Sequence, residues 1–210
     1  MQEFRGAPTM PLISLPDATS SGTLSLEKAI ASRRSIRSFV DAAVSLAQIS
    51  QLLWAAQGIT SPQKGFRAAP SAGATYPLSL FLITGNVETL APGVYLYHPR
   101  QHALEKIVDG DRREQVCQAA LSQRFIASAP AVIAIAGVLS RTTRRYGKRG
   151  EIYVYMEAGH AGQNIYLQAA SLGLGTVAVG AFKPDQLASS LELLNSETPL
   201  YLFPVGTPAP

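Results

Sequence analysis

The chain has 210 residues, of which 47% are hydrophobic and only 15% charged, against about 25% charged in an ordinary soluble domain. That length supports one large domain with a substantial core, and the scarcity of charge points to a surface partly covered in an oligomer. A single cysteine, Cys117, excludes a disulfide framework and any paired-cysteine metal site. The apolar mid-chain stretch Ile126–Leu139, broken by Ser128 and Pro130, is too short to cross about 30 Å of hydrocarbon. No apolar region of the secretory kind is visible at the N-terminus, so the chain is read as cytoplasmic.

The net charge of +4 arises largely from two clusters, Arg33, Arg34 and Arg37, then Arg141, Arg144, Arg145, Lys148 and Arg149. Such clusters attract anions. A phosphate-bearing cofactor or substrate ranks ahead of nucleic acid, because only Tyr146 interleaves with the basic residues and no nucleic-acid module is evident. Neither nucleic acid nor a membrane is expected as a partner.

In chain order, residues 1–23 read as an N-terminal arm, with Gly6, Pro8, Pro11 and a Ser/Thr/Gly run at Thr19–Thr23, and residues 24–210 as one domain. Ser25 is a candidate N-cap for a helix over 26–34. Leu46, Ile49, Leu52, Leu53 and Ala56 recur at helical spacing up to Gly58. Leu78–Thr84 predicts a buried strand, and the runs 94–97 and 103–108 predict a hairpin whose histidines, His98 and His102, are exposed. A short helix over 111–122 and a second buried strand over 131–138 follow. The longest helix runs over 151–172 to Gly173, then a strand over 176–180, a helix over 184–194 and a last strand over 200–205. Without βαβ regularity, the pattern favours an α+β fold with a central mixed β-sheet flanked by helices.

Four stretches carry candidate chemistry. Arg33-Arg34-Ser35-Ile36-Arg37 places three guanidiniums and a hydroxyl where they can converge on one phosphate, although a solvated helix face or a phosphorylation site reads equally well from spacing. Ala69-Pro70-Ser71-Ala72-Gly73-Ala74-Thr75-Tyr76-Pro77 combines stiff ends with small residues, so a flat ligand can approach its backbone; an ordinary tight loop is the plainer reading. Glu157, His160 and Asn164 share one face of the long helix, with Gln163 beside them, as expected of a hydrogen-bonded buried seam. Gly173–Gly180 does not fit a dinucleotide fingerprint, because its glycines follow a helix and open a strand instead of the reverse. Gly180 can still set a bare backbone edge against a ligand.

Taken in order, LEKAIASRRSIRSF (26–39), APSAGATYPLSLFLI (69–83), GVYLYHP (93–99), the stretch 145–182 and LYLFPVG (200–206) resemble the nitroreductase superfamily, and within it the SagB-type azoline-dehydrogenase branch. The resemblance spans about residues 24–207. It implies a nitroreductase-like α+β fold, an intertwined homodimer and FMN at the subunit interface. It also implies that Arg33, Arg34, Ser35 and Arg37 hold the FMN phosphate and ribityl chain. Pro70, Ser71, Ala72 and Gly73 meet the flavin from the partner subunit, Val179 and Gly180 run along its ring, and Gln163 with Asn164 match a pair on the interface helix.

Two departures accompany it. Related azoline oxidases carry a Lys–Tyr pair proposed for proton removal, and this chain has Arg145 and Tyr146 there. Arginine stays protonated and is a poor base, but it stabilises an anion, and Tyr146 can relay a proton. With the sequence ending at Pro210, a phosphate contact from a longer C-terminal tail is not expected, and Lys183 or Arg37 is the candidate replacement. The implied activity is hydride transfer through FMN, reducing nitro or quinone compounds with NAD(P)H. The alternatives are a SagB-type dehydrogenase that oxidises azoline rings in a peptide and a flavin-binding protein without turnover.

Overall fold

Local signals start the first two helices where the sequence predicts them. The computed structural model describes residues 10–210. Helix α1 (Leu26–Ser32) is capped by Ser25, whose Oγ accepts the Lys28 N–H at 3.3 Å. Helix α2 (Leu46–Gln57) opens on a reciprocal box in which Ser45 Oγ accepts the Gln48 N–H and Gln48 Oε1 accepts the Ser45 N–H. Each bond satisfies a donor that the first helical turn leaves without a backbone partner.

The strands are β1 (Leu12–Ser14), β2 (Ile59–Ser61), β3 (Phe66–Arg67), β4 (Leu78–Thr84), β5 (Gly93–His98), β6 (Ala103–Asp109), β7 (Ala131–Gly137), β8 (Gly175–Thr176) and β9 (Thr198–Gly206). The remaining helices are α3 (Arg113–Ala119), α4 (Phe125–Ser128), α5 (Leu139–Tyr146), α6 (Arg149–Ser171) and α7 (Pro184–Ser190). Seven strands form one sheet in the order β1-β6-β5-β4-β7-β9-β8, and β2 pairs with β3 apart from it. The expected mixed sheet is in fact antiparallel, since every pairing between its strands runs that way. Parallel pairing among the described residues is confined to the isolated bridges Ser35–Thr176 and Val44–Val87. Neighbouring strands here are not joined by the right-handed crossover that parallel pairing needs.

The sheet is covered on both faces. Leu78, Leu80 and Leu82 of β4, with Ala131, Ile133 and Ile135 of β7, pack in one cluster with α2 and α6. Phe81 and Ile83, with Val132, Ala134 and Ala136, pack in the other with α3 and α7. Double burial explains why these strands read as continuous apolar runs: their alternation separates two cores instead of core from water.

The region expected as an arm divides. Residues 1–9 lie outside the described residues, and Leu12–Ser14 adds an edge strand to β6. The β2–β3 pair, α4 and α5 had no clear periodic signal, and the strand expected over 176–180 shortens to Gly175–Thr176 plus a Val179–Leu202 bridge. Among the described residues no helix is long and apolar enough to cross a membrane.

Helix α6 packs close to its neighbours because its contact positions are small. A Cβ on Gly162 would stand 2.7 Å from Phe203 Cζ, and one on Gly150 would stand 2.9–3.0 Å from the backbone of Thr142 and Thr143 in α5. A side chain can move aside, whereas the α5 backbone cannot without shifting Arg145 and Tyr146. Gly150→Ala is therefore expected to cost roughly 1–3 kcal/mol in urea unfolding, while Gly159→Ala, which meets nothing within 4 Å, costs nothing measurable.

Candidate functional site

The Arg33–Arg37 segment leaves α1 and is pinned against the chain after α6. Ile36 N–H donates to the Thr176 carbonyl at 2.9 Å. Tyr166 of α6 ties the two segments together: its hydroxyl lies 3.0 Å from Ser35 Oγ and accepts the Ala178 N–H at 2.8 Å. The Arg33 guanidinium lies over the same ring, 5.1 Å from its centroid. A cavity of about 240 Å³ opens here, lined among others by Arg33, Arg34, Tyr166 and Thr176. Thr176 is buried, and its Oγ1 has no hydrogen-bond partner. Two guanidiniums around an orphaned hydroxyl form a donor set suited to a phosphate or a polyol.

Arg34 also turns its Nη1 back onto the carbonyls of Ala31 and Arg33. Arg37 is exposed and does not line this cavity. Lys183 caps α7, its N–H bonded to the Ala119 carbonyl. Val179 is buried and exchanges backbone hydrogen bonds with Leu202 at 2.8 and 3.0 Å, while Gly180 is exposed at the end of that pairing.

The loop at 70–77 is held by α5 and α6. Gly73 sits at φ 59°, and a Cβ there would fall 2.5 Å from the Tyr146 hydroxyl and 2.8 Å from Arg145 Nη1. Only glycine meets both the left-handed backbone and the close approach. Arg145 Nη1 donates to the Gly73 carbonyl at 3.1 Å, and the Thr75 and Thr142 hydroxyls are 2.9 Å apart. Ser71 Oγ accepts the Tyr76 N–H at 2.9 Å. Ala74 and Tyr76 also take positive φ, 54° and 44°, strain of the kind stored at ligand-binding loops. The structure thus brings Arg145 and Tyr146 to the loop of Ser71, Ala72 and Gly73. The Tyr146 ring packs edge-on against Tyr153 with centroids 5.3 Å apart.

Beneath the loop lies Glu157, 2% exposed, with Oε1 lacking any partner. Burial pushes its carboxyl up to about 7, against the opposing pull of a hydrogen bond from Ser71 and the nearby Arg67 guanidinium. The seam expected along α6 does not form one network. Asn164 Nδ2 donates to the Ala55 carbonyl at 2.9 Å and ties α6 to α2, whereas His160 and Gln163 are exposed. His98 and His102, expected to be exposed, are half-buried. His98 pairs with Glu105 at 2.9 Å, and His102 contacts Ser50 and Tyr97.

Sequence reasoning missed Tyr166 and Arg67. Both occupy ordinary positions in the pattern, and only contacts distant in sequence give them roles. Among the described residues no group of three or more His, Cys, Asp or Glu side chains is placed to hold a metal ion.

Residues 30–207 match the model of the nitroreductase family. The chain belongs to that family. It is 45% identical over 194 residues to MJ1384 of Methanocaldococcus jannaschii, itself assigned as a nitroreductase, covering 92% of this chain and 95% of that one. A crystal structure of a protein assigned as a nitroreductase from Ralstonia eutropha JMP134 superposes with TM-score 0.83 at 29% identity, covering 100% and 97% of the two chains. Two solved structures share the fold at lower identity. The NADPH:FMN oxidoreductase of Vibrio harveyi has TM-score 0.64 at 20%, over 88% of this chain and 69% of that one. A chain of the Escherichia coli microcin synthetase McbBCD complex, bound to truncated pro-MccB17, has TM-score 0.75 at 24%, over 96% and 79%. Nitroreductases are oxidoreductases, and the cavity and loop are the candidate site for that chemistry.

Glu157 generates a pH prediction. Its carboxyl holds a proton more tightly folded, near 7, than at its ordinary 4.5. The stabilisation linked to that proton is complete below pH 4.5 and is lost as pH rises through 7. Glu157→Gln keeps the neutral shape, so its stability relative to the native chain should rise between pH 5 and 8, by on the order of 3 kcal/mol at most. Urea midpoints across that range test this; a constant difference would refute the titration.

Proposed function

We propose that this chain is an FMN-dependent oxidoreductase, working as a homodimer, that takes hydride from NAD(P)H and reduces nitro or quinone compounds. The observation that carries the reading is the cavity where Arg33, Arg34 and the orphaned Thr176 hydroxyl converge. These residues fit a flavin's phosphate and ribityl chain: the guanidiniums bind the phosphate, and Thr176 Oγ1 gains the partner it lacks. Bound FMN supplies the hydride-accepting ring. Val179 is taken up in its pairing with Leu202, and the exposed Gly180 beside it offers that ring a bare backbone edge. Tyr146 holds a proton at its hydroxyl, and Arg145 stabilises negative charge developing on a substrate oxygen. We place this chemistry in the cytoplasm.

The positions of the parts support a homodimer. Glu157, beneath the 70–73 loop, and Tyr166, at the phosphate cavity, are nine residues apart on α6, about 14 Å along the axis. The α6 face includes exposed Ile152, Tyr155 and Met156, and α1 exposes Leu26 and Ile30. A second copy seated on those apolar residues hides them from water and brings its loop of Pro70, Ser71, Ala72 and Gly73 to the ring, with Gln163 at the contact.

A second reading is oxidation of azoline rings in a peptide. The observation that favours it is the exposed basic run of Arg144, Arg145, Lys148 and Arg149 around the end of α5, which suits an acidic leader segment.

The purified protein should be yellow, and anaerobic NADPH should bleach its flavin band. A flavin that NADPH leaves oxidised favours the peptide reading, and a colourless protein that takes up no FMN overturns both. Arg33→Ala with Arg34→Ala should weaken FMN binding at least about 100-fold by fluorescence titration, while Arg37→Ala alone has a small effect. Met156→Asp should shift the protein toward a monomer in light scattering and lower its flavin content together.

A further inference from the structure

One phenol oxygen is shared by two ends of the candidate site. The Tyr166 hydroxyl lies 3.0 Å from Ser35 Oγ and 2.8 Å from the Ala178 nitrogen. Ser35 stands between Arg34 and Ile36, both of which line the cavity beside Tyr166. Ala178 directly precedes Val179 and the exposed Gly180, the backbone edge that the flavin reading assigns to the ring.

The Tyr166 ring is held apart from what its hydroxyl does. It packs edge-on against Phe203 with centroids 5.9 Å apart, and the Arg33 guanidinium lies 5.1 Å from its centroid. Phe203 in turn fills the notch at Gly162, one turn earlier on α6. With the ring fixed, donor counting sets the direction of each hydrogen bond. The Ala178 N–H can only donate, so the phenol oxygen accepts there. The phenol proton then goes to Ser35 Oγ, and the Ser35 proton is left for a third group. The reverse direction at Ser35 would leave the phenol proton without an acceptor among the described residues.

We propose that Tyr166 is a positioning residue that couples a phosphate in this cavity to the backbone at Ala178. The phosphate accepts from Ser35, Ser35 accepts from Tyr166, and Tyr166 accepts from the Ala178 N–H. Hydrogen bonds that run in one direction polarise one another, so filling one end of the chain strengthens the other. The proposal rests on the flavin reading for the identity of the phosphate. Its consequence is that gripping the phosphate and setting the 178–180 edge against the ring are a single event. The potential of the bound flavin then depends on a hydroxyl that acts through Ser35 and Ala178.

The test compares the native chain with Tyr166→Phe, which keeps the ring and removes only the hydroxyl, and with Ser35→Ala, which cuts the chain at its other end. In the apoprotein, saturating inorganic phosphate, with sodium chloride holding ionic strength constant, should slow hydrogen exchange at the Ala178 amide about threefold. Neither variant should show that slowing. With FMN bound, each variant should shift the two-electron equilibrium of the flavin against a reference dye by roughly tenfold, or about 30 mV. The double variant should shift it no further than Tyr166→Phe alone, because both changes cut one chain. Ser35 is exposed, so Ser35→Ala carries the test if Tyr166→Phe does not fold. Phosphate protection that is absent from the native chain or kept in a variant, a native potential in the variants, or shifts that add in the double variant would overturn the proposal and leave the flavin reading standing. A native chain that takes up no FMN overturns both.

Discussion

The close seating of α6 is the constraint on which the rest of this structure depends. Gly162 admits the Phe203 ring, Gly150 admits the α5 backbone, and Ala158, Ala161 and Ala169 keep the buried stripe shallow. With the helix this near, one rigid element reaches every part of the candidate site. Tyr166 locks the Arg33–Ser35 segment to the chain at 176–178, and Glu157 lies under the 70–77 loop. A bulkier stripe would push both apart, because cores at native density have no slack to absorb an added methyl group.

The same closeness has an energetic consequence. Side chains that α6 carries under the loop are removed from water before all of them find partners. Glu157 Oε1 is buried and unpartnered, as is Thr176 Oγ1 in the strand that follows α6, and the loop at 70–77 takes positive φ at Gly73, Ala74 and Tyr76. Orphaned polar atoms and strained backbone are disfavoured in a protein selected for stability alone. Their concentration around one cavity and one loop is the physical mark of a place built for something other than folding.

Charge is distributed to the same end. Arg124 and Arg113 pair locally with Glu114 and Asp111 on the far side of the sheet. Arg33 and Arg34 instead line the cavity beside Tyr166, and Arg145 donates to the Gly73 carbonyl. Arg145 therefore helps to order the loop while remaining exposed to solvent.

Much of this was legible from the chain itself. The cap at Ser25, the apolar runs at 78–84 and 131–138, and the hairpin of β5 and β6 depend on interactions within a few residues or on burial, and both leave periodic traces. The small-residue loop and the arginine segment were visible for the same reason: their chemistry is contiguous. Sequence alone did not show that the sheet is antiparallel throughout, that His98 and His102 are half-buried, or that Arg37 stands outside the cavity its neighbours line. Nor did it reveal the roles of Tyr166 and Arg67. Those outcomes depend on which residues meet across separations such as the 131 residues between Ser35 and Tyr166. Such contacts follow from helix packing distance and strand order, and a pattern along the chain encodes neither.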